Sequence, residues 1–565
     1  MTRAYSYVKK EGDTPSLYVN GEKICGMAYM TYYTENNRYA DFAKAGYRLF
    51  SLPVMFGDQT INSITQFPPF QKGIFASDEP DYSIFDGNIR DILEACPDAY
   101  IFPRVNVSLS RAWEDSHPDE LNDFGSATFP DVKRASFSSD LWCDEVKRLL
   151  SHFVAHIESS DYRDSIVGYQ IAGGLTEEWM TFDSRGSRGK RSLEKFNAYA
   201  DKNGLAKNEE NYSAFLSDTV ALRICELAEH VKTLTDNRLA VGAFYGYTFE
   251  LSSCGSGHNS LRILLDSPYV DFLCSPVSYS TAREAGVDHP YMLPVNSLSL
   301  AGKLYFSEND TRTHLTRPPC DLEAYNRPIW YGPDKETTVD ILKMHFARAL
   351  INGHALWWFD MWGGWFADNG YMKLLEEMKK IAENSSADIN HKALTAVFVD
   401  ERSIFAVKDE EIYRKVVSAT RPALGSCGAP FDLYLASDYE SVIGDYKALI
   451  CLEPAETELT KALCRAANEM NKPLLKITEE NSDLSSNDIR DFLRSSGVDV
   501  YSERDNVVYA NNSYVFIHTS TSGEQRITMS NGEELHEMFG KSIDSRGFAT
   551  EKGKSFLFEV KGNTK

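Results

Sequence analysis

Short apolar runs alternate with longer amphipathic segments along the first two thirds of the chain. Eight runs predict strands between about residue 20 and residue 385: ICGMAYM at 24, YRLFSLPV at 47, AYIFPRVNV at 99, SIVGYQIA at 165, LAVGAFY at 239, VDFLCSP at 270, KLYFSE at 303 and HALWWFD at 354. Segments between them, such as DEVKRLLSHFVAHIE, repeat apolar residues at intervals of three and four, which is typical of helices. Eight such pairs predict a (β/α)₈ TIM barrel rather than an open doubly wound sheet.

The pattern changes after the predicted helix MKLLEEMKKIAEN. A polar stretch, SSADINHK, predicts a linker, and the strands ALTAVFVD, PFDLYLA, YKALICL and PLLKIT then alternate with helices as in a flavodoxin-like α/β domain. No GxGxxG follows these strands, so nothing indicates a bound nucleotide. Period-two alternation in NVVYA, SYVFIHTS, QRITM and SFLFEV predicts a small C-terminal antiparallel β domain. The predicted domains are residues 1–385, 386–498 and 499–565.

Composition and charge narrow the class of protein. The chain has 565 residues, of which 42% are hydrophobic and 12% aromatic, and this is typical of a folded protein with a large core. A formal net charge of −23 argues against nucleic acid and anionic membranes as partners, because both repel an acidic surface. The sequence contains no run of 18 apolar residues and no apolar segment at its start, so we expect neither a membrane span nor a signal peptide and predict a cytoplasmic location.

Neither the cysteines nor the histidines indicate a metal centre. The ten cysteines are scattered singly, without CxxC or disulfide-like spacing. His152 and His156 are four residues apart and could share a helix face, but no HExxH motif or third ligand accompanies them. The sequence therefore predicts no metal and no organic cofactor.

Paired carboxylates at strand ends give the clearest indication of chemistry. The active site of a (β/α)₈ barrel is built at the C-terminal ends of its strands. The fourth predicted strand runs into GYQIAGGLTEEW, which ends in Glu177 and Glu178, and the seventh ends in Glu308. Adjacent glutamates are also common in the first turn of a surface helix. Two carboxylates across one pocket are the working groups of glycoside hydrolysis, one as acid and one as nucleophile.

Other side chains at the predicted barrel mouth suit a sugar. The eighth strand ends in WWFDMWGGWF, whose tryptophans could offer flat apolar faces to a pyranose, although each could equally belong to the barrel core. The third strand ends in PRVNV, and a tyrosine follows the sixth strand, where its phenol could donate to a carboxylate such as Glu308. The predicted substrate-contacting residues are Glu177, Arg104, Asn106, Tyr279, Trp358 and Asp360.

At these residues the chain resembles the retaining glycosidases of the large barrel clan that place an acid/base after strand four and a nucleophile after strand seven. The order of domains is similar to that of family 42 β-galactosidases, in which a flavodoxin-like trimerisation domain and a small β domain follow the barrel. The resemblance implies that Glu178, which precedes Trp179, is the acid/base, that Glu308 is the nucleophile, and that the protein is a homotrimer. The family's Asn-Glu-aromatic motif is altered here: AGGLTEEW is three residues longer and has no asparagine before the glutamate, which affects the contact at C2 of the sugar.

These features predict a retaining exo-β-glycosidase acting on β-linked oligosaccharides, with β-galactosidase as the first hypothesis. A β-mannosidase or another β-glycosidase is the alternative within the class. A carbohydrate-binding protein without activity, whose carboxylates only accept hydroxyl hydrogen bonds, is an alternative from a different class. An inverting hydrolase would need its carboxyl groups roughly 6.5 to 9.5 Å apart, instead of about 5 to 5.5 Å.

Overall fold

An N-terminal antiparallel sheet, which the sequence analysis did not predict, precedes the barrel. The computed structural model describes residues 3–58, 71–123, 134–174, 177–181, 188–279, 283–317, 331–385, 393–529, 534–540 and 543–561. The three strands of the first sheet are β1 (Ser6–Glu11), β2 (Thr14–Val19) and β3 (Glu22–Lys23). The Ala240 amide donates to Ser6 Oγ at 2.8 Å, which ties this sheet to the barrel.

Eight parallel strands close into a barrel, as the sequence predicted. They are β4 (Met27–Met30), β5 (Leu49–Met55), β6 (Tyr100–Asn106), β7 (Gly168–Ala172), β8 (Ala240–Phe244), β9 (Phe272–Pro276), β10 (Leu304–Asn309) and β11 (Ala355–Phe359). Each strand pairs with its neighbour in the sequence, and β11 pairs with β4 to close the ring. Every predicted strand overlaps one of these eight, so the predicted barrel is confirmed.

Helices follow the barrel strands and surround them. They are α1 (Tyr39–Lys44), α2 (Ser83–Ala95), α3 (Arg111–Ser116), α4 (Asp140–Ser159), α5 (Lys190–Asn203), α6 (Glu209–Leu234), α7 (Leu261–Asp266), α8 (Val295–Leu300), α9 (Lys335–Asn352) and α10 (Asn369–Asn384). Local signals fix several of their ends. Asp334 accepts from the Thr337 amide at the start of α9, and Gly353, with a left-handed φ of +67°, ends that helix.

Aromatic rings fill the lower interior of the barrel, and two glycines make room for them. The rings of Phe102 and Phe272 have centroids 5.6 Å apart. A Cβ atom on Gly168 would lie 2.1 Å from the Phe102 ring, and one on Gly242 would lie 2.3 Å from the Phe272 ring. These rings close the barrel axis, so the residues two positions further along the strands form the floor of the mouth.

A second α/β unit and a β domain complete the chain. The parallel sheet of the second unit has the order β13-β12-β14-β15, which is flavodoxin-like as predicted. Its elements are β12 (Thr395–Val399), α11 (Glu410–Tyr413), α12 (Arg421–Gly425), β13 (Asp432–Leu435), α13 (Tyr439–Val442), β14 (Ala448–Leu452), α14 (Glu458–Glu469), β15 (Leu474–Ile477) and α15 (Ser486–Ser495). Most of the predicted linker before β12, residues 386–392, lies outside the described residues.

The C-terminal β domain is antiparallel, which confirms the prediction. Its sheet has the order β16-β17-β21-β19, and a separate pair joins β18 to β20. The strands are β16 (Val507–Ala510), β17 (Tyr514–His518), β18 (Gly523–Gln525), β19 (Glu534–Glu537), β20 (Phe548–Thr550) and β21 (Ser555–Lys561). None of the helices in the described ranges has the length and apolar character needed to cross a membrane.

Candidate active site

Glu308 lies at the C-terminal end of β10, with its side chain inside the barrel mouth. Its Oε2 atom accepts hydrogen bonds from Arg104 Nη2 at 2.5 Å and from Trp357 Nε1 at 3.1 Å. The three side chains come from β10, β6 and β11, and the period-two alternation of each strand turns them inward. Burial raises the pKa of Glu308, and the positive charge of Arg104 opposes this rise.

The Arg104 guanidinium is held from several sides. Its Nε donates to Gln170 Oε1 at 3.2 Å, and its Nη1 donates to the Tyr32 hydroxyl at 2.8 Å. Aromatic rings surround it, with the centroid of Phe244 at 4.3 Å and that of Phe359 at 5.2 Å. Hydrogen bonds in the plane of the guanidinium and rings around it fix the direction in which it meets Glu308.

Glu177 belongs to the same network and is buried. Its Oε2 accepts from the Tyr32 hydroxyl at 2.5 Å, and its Oε1 accepts from Asn106 Nδ2 at 2.9 Å. Tyr32 therefore donates to Glu177 while it accepts from Arg104, which in turn donates to Glu308. A continuous chain of hydrogen bonds thus connects the end of strand four with the end of strand seven of the barrel.

A strained turn carries the two adjacent glutamates. Glu177 and Trp179 have left-handed φ angles of +66° and +62°, which are uncommon for residues other than glycine. Such conformations cost on the order of 1–3 kcal/mol each and persist only where the surroundings enforce them. Gly173 donates from its amide to Glu177 O at 3.2 Å and accepts from the Trp179 amide at 2.8 Å. The segment is a closed turn and not the first turn of a surface helix.

Glu178 lies in the same mouth and is partly exposed. Its Oε1 accepts from the Tyr247 hydroxyl at 2.7 Å. Burial raises the pKa of Tyr247, and the negative charges of Glu178 and Glu308 raise it further. Glu178 and Glu308 therefore both lie at the C-terminal face of the barrel, one after β7 beside Tyr247 and the other at the end of β10 beside Arg104.

Tyr279 lies at the mouth but contacts Asp310, not Glu308 as the sequence suggested. Its hydroxyl donates to Asp310 Oδ2 at 2.6 Å. Burial alone would raise the pKa of Asp310, but Arg283 and Arg312, which both form ion pairs with this carboxylate, lower it to about 2. The phenol is drawn to Asp310 because this group is a permanent anion directly after β10.

Two predicted contacts on strand eight do not lie in the mouth. Trp358 points away from the barrel axis and donates from Nε1 to the Tyr47 hydroxyl at 2.9 Å, because it follows the inward-facing Trp357 by one residue. Asp360 is fully buried and accepts from the amides of Gly364 at 3.0 Å and Trp365 at 2.8 Å. Both side chains support the barrel wall and its loop, so a substrate contact is no longer expected for either.

Sequence analysis missed two tyrosines of the site, Tyr32 and Tyr247. Both follow strand ends, which is the signal that could have found them. Each stands among other tyrosines in the sequence, in MTYYTE and FYGYTF, so the pattern alone does not show which one turns inward. His156 of the histidine pair contacts α2 and the residue before it: its Nε2 lies 2.8 Å from Asp86 Oδ1, and its ring stacks on that of Tyr82.

Comparisons with known proteins bear on the fold. No protein-family model matches the chain, and no curated protein matches its sequence. Solved structures do match: a β-galactosidase from Halorubrum lacusprofundi has 12% identity, a TM-score of 0.65, and coverage of 94% of this chain and 99% of that one. A cold-adapted β-galactosidase from Rahnella sp. R3 has 10% identity, a TM-score of 0.65, and coverage of 98% and 99%.

The fold is that of the family 42 β-galactosidases. The barrel, the second α/β unit and the C-terminal β domain all fall within the matched length. A family 42 exo-carrageenase from Bacteroides ovatus also matches, with 11% identity, a TM-score of 0.57, and coverage of 98% of this chain and 84% of that one. At such identities the likeness establishes the fold, and the chemistry has to be argued from the residues of the mouth.

Proposed function

We propose that this protein is a retaining exo-β-glycosidase that acts by double displacement. The observation that supports the proposal is the position of Glu178 and Glu308 at the C-terminal ends of β7 and β10, where Tyr247 donates to Glu178 and both Arg104 and Trp357 donate to Glu308. Glu308, ionised beside Arg104, attacks the anomeric carbon while Glu178 gives its proton to the departing oxygen. Glu178 then takes a proton from water, which attacks the anomeric carbon and releases Glu308.

The surroundings of the two neighbouring glutamates support this division of roles. Both oxygens of Glu177 accept hydrogen bonds from protein donors, Tyr32 and Asn106, which hold the group in one orientation. Glu178 is partly exposed, as suits a group that must meet the departing oxygen and later a water molecule. Glu177 is accordingly proposed to bind a hydroxyl of the sugar, and Arg104 and Asn106 to set the floor of that subsite.

A panel of nitrophenyl glycosides tests the activity. We expect turnover of a β-linked substrate, with the β-galactoside first and the β-mannoside or another β-glycoside as the alternative. Proton NMR of the first product should show the β anomer, since two inversions retain configuration. An α anomer as first product would mean an inverting hydrolase. Saturable binding without turnover of any member would mean a carbohydrate-binding protein.

Assembly and location extend the proposal. The second α/β unit carries no nucleotide fingerprint, and we propose that it joins three subunits into a homotrimer. Cyclic closure of the trimer would bury the apolar surface of this unit. We propose the cytoplasm as the location of the protein. Sedimentation velocity at micromolar concentration should give the mass of three 63.7 kDa chains. A single monomeric species in that experiment would reject the trimer without affecting the proposed chemistry.

A further inference from the structure

His258, in the loop after β8, is fully buried between two parts of the mouth. Its Nδ1 atom accepts from the amides of Gly246 at 3.1 Å and Tyr247 at 3.4 Å. Its Nε2 atom lies 2.8 Å from the carbonyl oxygen of Glu178. One imidazole therefore connects the turn that carries Tyr247 with the turn that carries Glu178.

The partners of the ring determine its protonation. Amide groups only donate, so Nδ1 must be unprotonated, and a carbonyl only accepts, so Nε2 must carry the proton. Burial lowers the pKa of His258 to about 3, which keeps the ring neutral at neutral pH. The imidazole is thus a neutral cross-link, with Nδ1 as the acceptor and Nε2–H as the donor.

Packing leaves the ring and the turn beside it little freedom. His258 stacks on Tyr245 with centroids 4.7 Å apart and lies at the same distance, tilted, from Tyr247. Gly246 has a φ of +89°, and a Cβ atom there would lie 2.8 Å from Leu261 Cδ1. The amides that His258 accepts from are therefore presented by a turn that only glycine permits.

A second set of contacts holds the same two segments together. The Thr181 amide donates to Ser256 O at 3.0 Å, and Thr181 Oγ1 donates to Gly255 O at 2.5 Å. The loop before His258 is thus also held to the segment that directly follows the strained turn. The hydrogen bond from His258 adds a contact between this loop and the main chain of Glu178.

We propose that His258 is a positioning residue for Glu178. Its ring joins the main chain of Glu178 to the main chain at Tyr247, and this fixes the geometry in which the Tyr247 hydroxyl donates to Glu178 Oε1. This inference rests on the proposed role of Glu178 as acid/base. His258 is fully buried and contacts the carbonyl oxygen of Glu178, not its carboxylate, so its contribution is the direction in which the proton is delivered.

Variants of His258 are compared on two substrates that differ only in the leaving group. His258→Phe keeps the ring volume and removes both polar atoms, and His258→Gln keeps a donor and an acceptor. On a glycoside with a poor leaving group, His258→Phe should lower kcat/KM by about 10- to 100-fold, the range seen when supporting groups are lost. On a dinitrophenyl glycoside, which leaves without a proton, the first-step rate should fall less than about threefold. His258→Gln should recover most of the loss.

Two further variants separate the possible results. Glu178→Ala, measured on the same pair of substrates, reports whether Glu178 is the proton donor. His518→Phe removes another buried cross-link, from the Gly286 amide at 2.7 Å to Ser555, and should leave the ratio of the two rates unchanged. If Glu178→Ala is selective and His258→Phe loses equally on both substrates, positioning is refuted and the proposed function stands. If Glu178→Ala is itself unselective, both proposals fail.

Nuclear magnetic resonance of labelled histidine gives a measurement that needs no substrate. The His258 resonance, assigned by its loss in His258→Gln, should show the Nε2–H tautomer and no titration between pH 5 and pH 8. A protonated ring in that range, or an Nδ1–H tautomer, would overturn the cross-link on which the proposal is built.

Discussion

Two buried arginine–carboxylate pairs in this protein look alike and occupy different places. In the mouth, Arg104 pairs with Glu308 at 2.5 Å, and the pair is only 2% and 4% exposed. Where the barrel meets the second and third units, Arg348 pairs with Asp288 at 2.6 Å, and that pair is 6% and 1% exposed. Rings flank both guanidinium groups, and a tyrosine hydroxyl joins each pair. Burial and charge pairing alone do not distinguish an active site from a structural contact between units.

The difference lies in what surrounds each carboxylate. Glu308 ends a barrel strand and shares its mouth with Glu177 and Glu178, whereas Asp288 lies in the loop after β9 and accepts at 2.6 Å from the hydroxyl of Tyr509 on β16. A Cβ atom on Gly425 of the second unit would lie 2.4 Å from Asp288. The Asp288 pair is packed where the three units meet, so we expect it to serve structure, whereas the Glu308 pair lies where the proposed chemistry would take place.

Removal of each carboxylate tests the roles of the two pairs most directly. Glu308→Ala should lower kcat by on the order of 10⁴-fold or more, because no nucleophile remains. It should lose less stability than Asp288→Ala, since the negative charge of Glu177 remains near Arg104 and Tyr32 and Gln170 still accept from it. Azide should restore cleavage of a dinitrophenyl glycoside and give a glycosyl azide of inverted configuration. Wild-type turnover in Glu308→Ala would remove this residue from the mechanism.

Asp288→Ala is the matched variant. It should keep its kcat per folded molecule and lose about 3–5 kcal/mol of unfolding free energy, because it leaves the buried Arg348 without its counter-ion. Urea unfolding measures the loss, and active-site titration measures the folded fraction. A catalytic defect with unchanged stability would reverse the assignment of the two pairs.

Variants of the two neighbouring glutamates, Glu177 and Glu178, should differ in their dependence on the leaving group. Glu178→Ala should lose on the order of 10³-fold on a natural disaccharide, whose departing alcohol needs a proton, and should retain much of its first-step rate on a dinitrophenyl glycoside. Glu177→Ala should raise KM or lower stability without dependence on the leaving group, because it loses the partners Tyr32 and Asn106. The opposite pattern would transfer the acid/base role to Glu177.

Removing the arginine charge should affect the two pairs in different ways. Arg104→Gln should lower kcat/KM by about 10- to 100-fold and move the acid limb of the profile of kcat/KM against pH to higher pH. The guanidinium opposes the rise that burial causes in the pKa of Glu308, so without it a higher pH is needed to ionise Glu308 for attack. Arg348→Gln should lower the unfolding free energy and leave the pH profile in place. Rate–pH profiles from pH 4 to pH 9 measure both, and a limb that does not move in Arg104→Gln would show that the charge does not tune Glu308.

Asp310 is expected to give an effect on stability that depends on pH. Its pKa falls from 3.8 to about 2 in the fold, so its ionised form contributes stability above pH 4 that is lost as the pH falls from about 4 to about 2. That contribution is about 2 kcal/mol. Asp310→Asn should therefore be less stable than the wild type at pH 7 and approach it near pH 2, as measured by urea unfolding. Asp98, whose side chain is 66% exposed beside Arg48, is the control, and Asp98→Asn should change little at any pH.

Much of the fold could be predicted from the sequence because its signals are local. The runs KLYFSE and HALWWFD are short, apolar and rich in aromatic residues, which favours buried strands. The end of a strand is also visible in sequence, and this led to Glu308 and to the pair Glu177 and Glu178. The N-terminal sheet was missed because its strands, such as SYVKKE, are short and mixed in polarity.

Tertiary structure decided which side of each chain segment faces the mouth. The register of β11 turns Trp357 toward Glu308 and Trp358 toward Tyr47, and a shift of one residue would exchange them. Left-handed angles at Glu177 and Trp179 interrupt the alternation after β7, so counting residues could not show where Glu178 points. Local sequence patterns thus specify the barrel and the strand ends that carry its carboxylates. The partners of those carboxylates, Tyr32, Tyr247 and Arg104, depend on contacts between distant segments and were fixed only when the barrel closed.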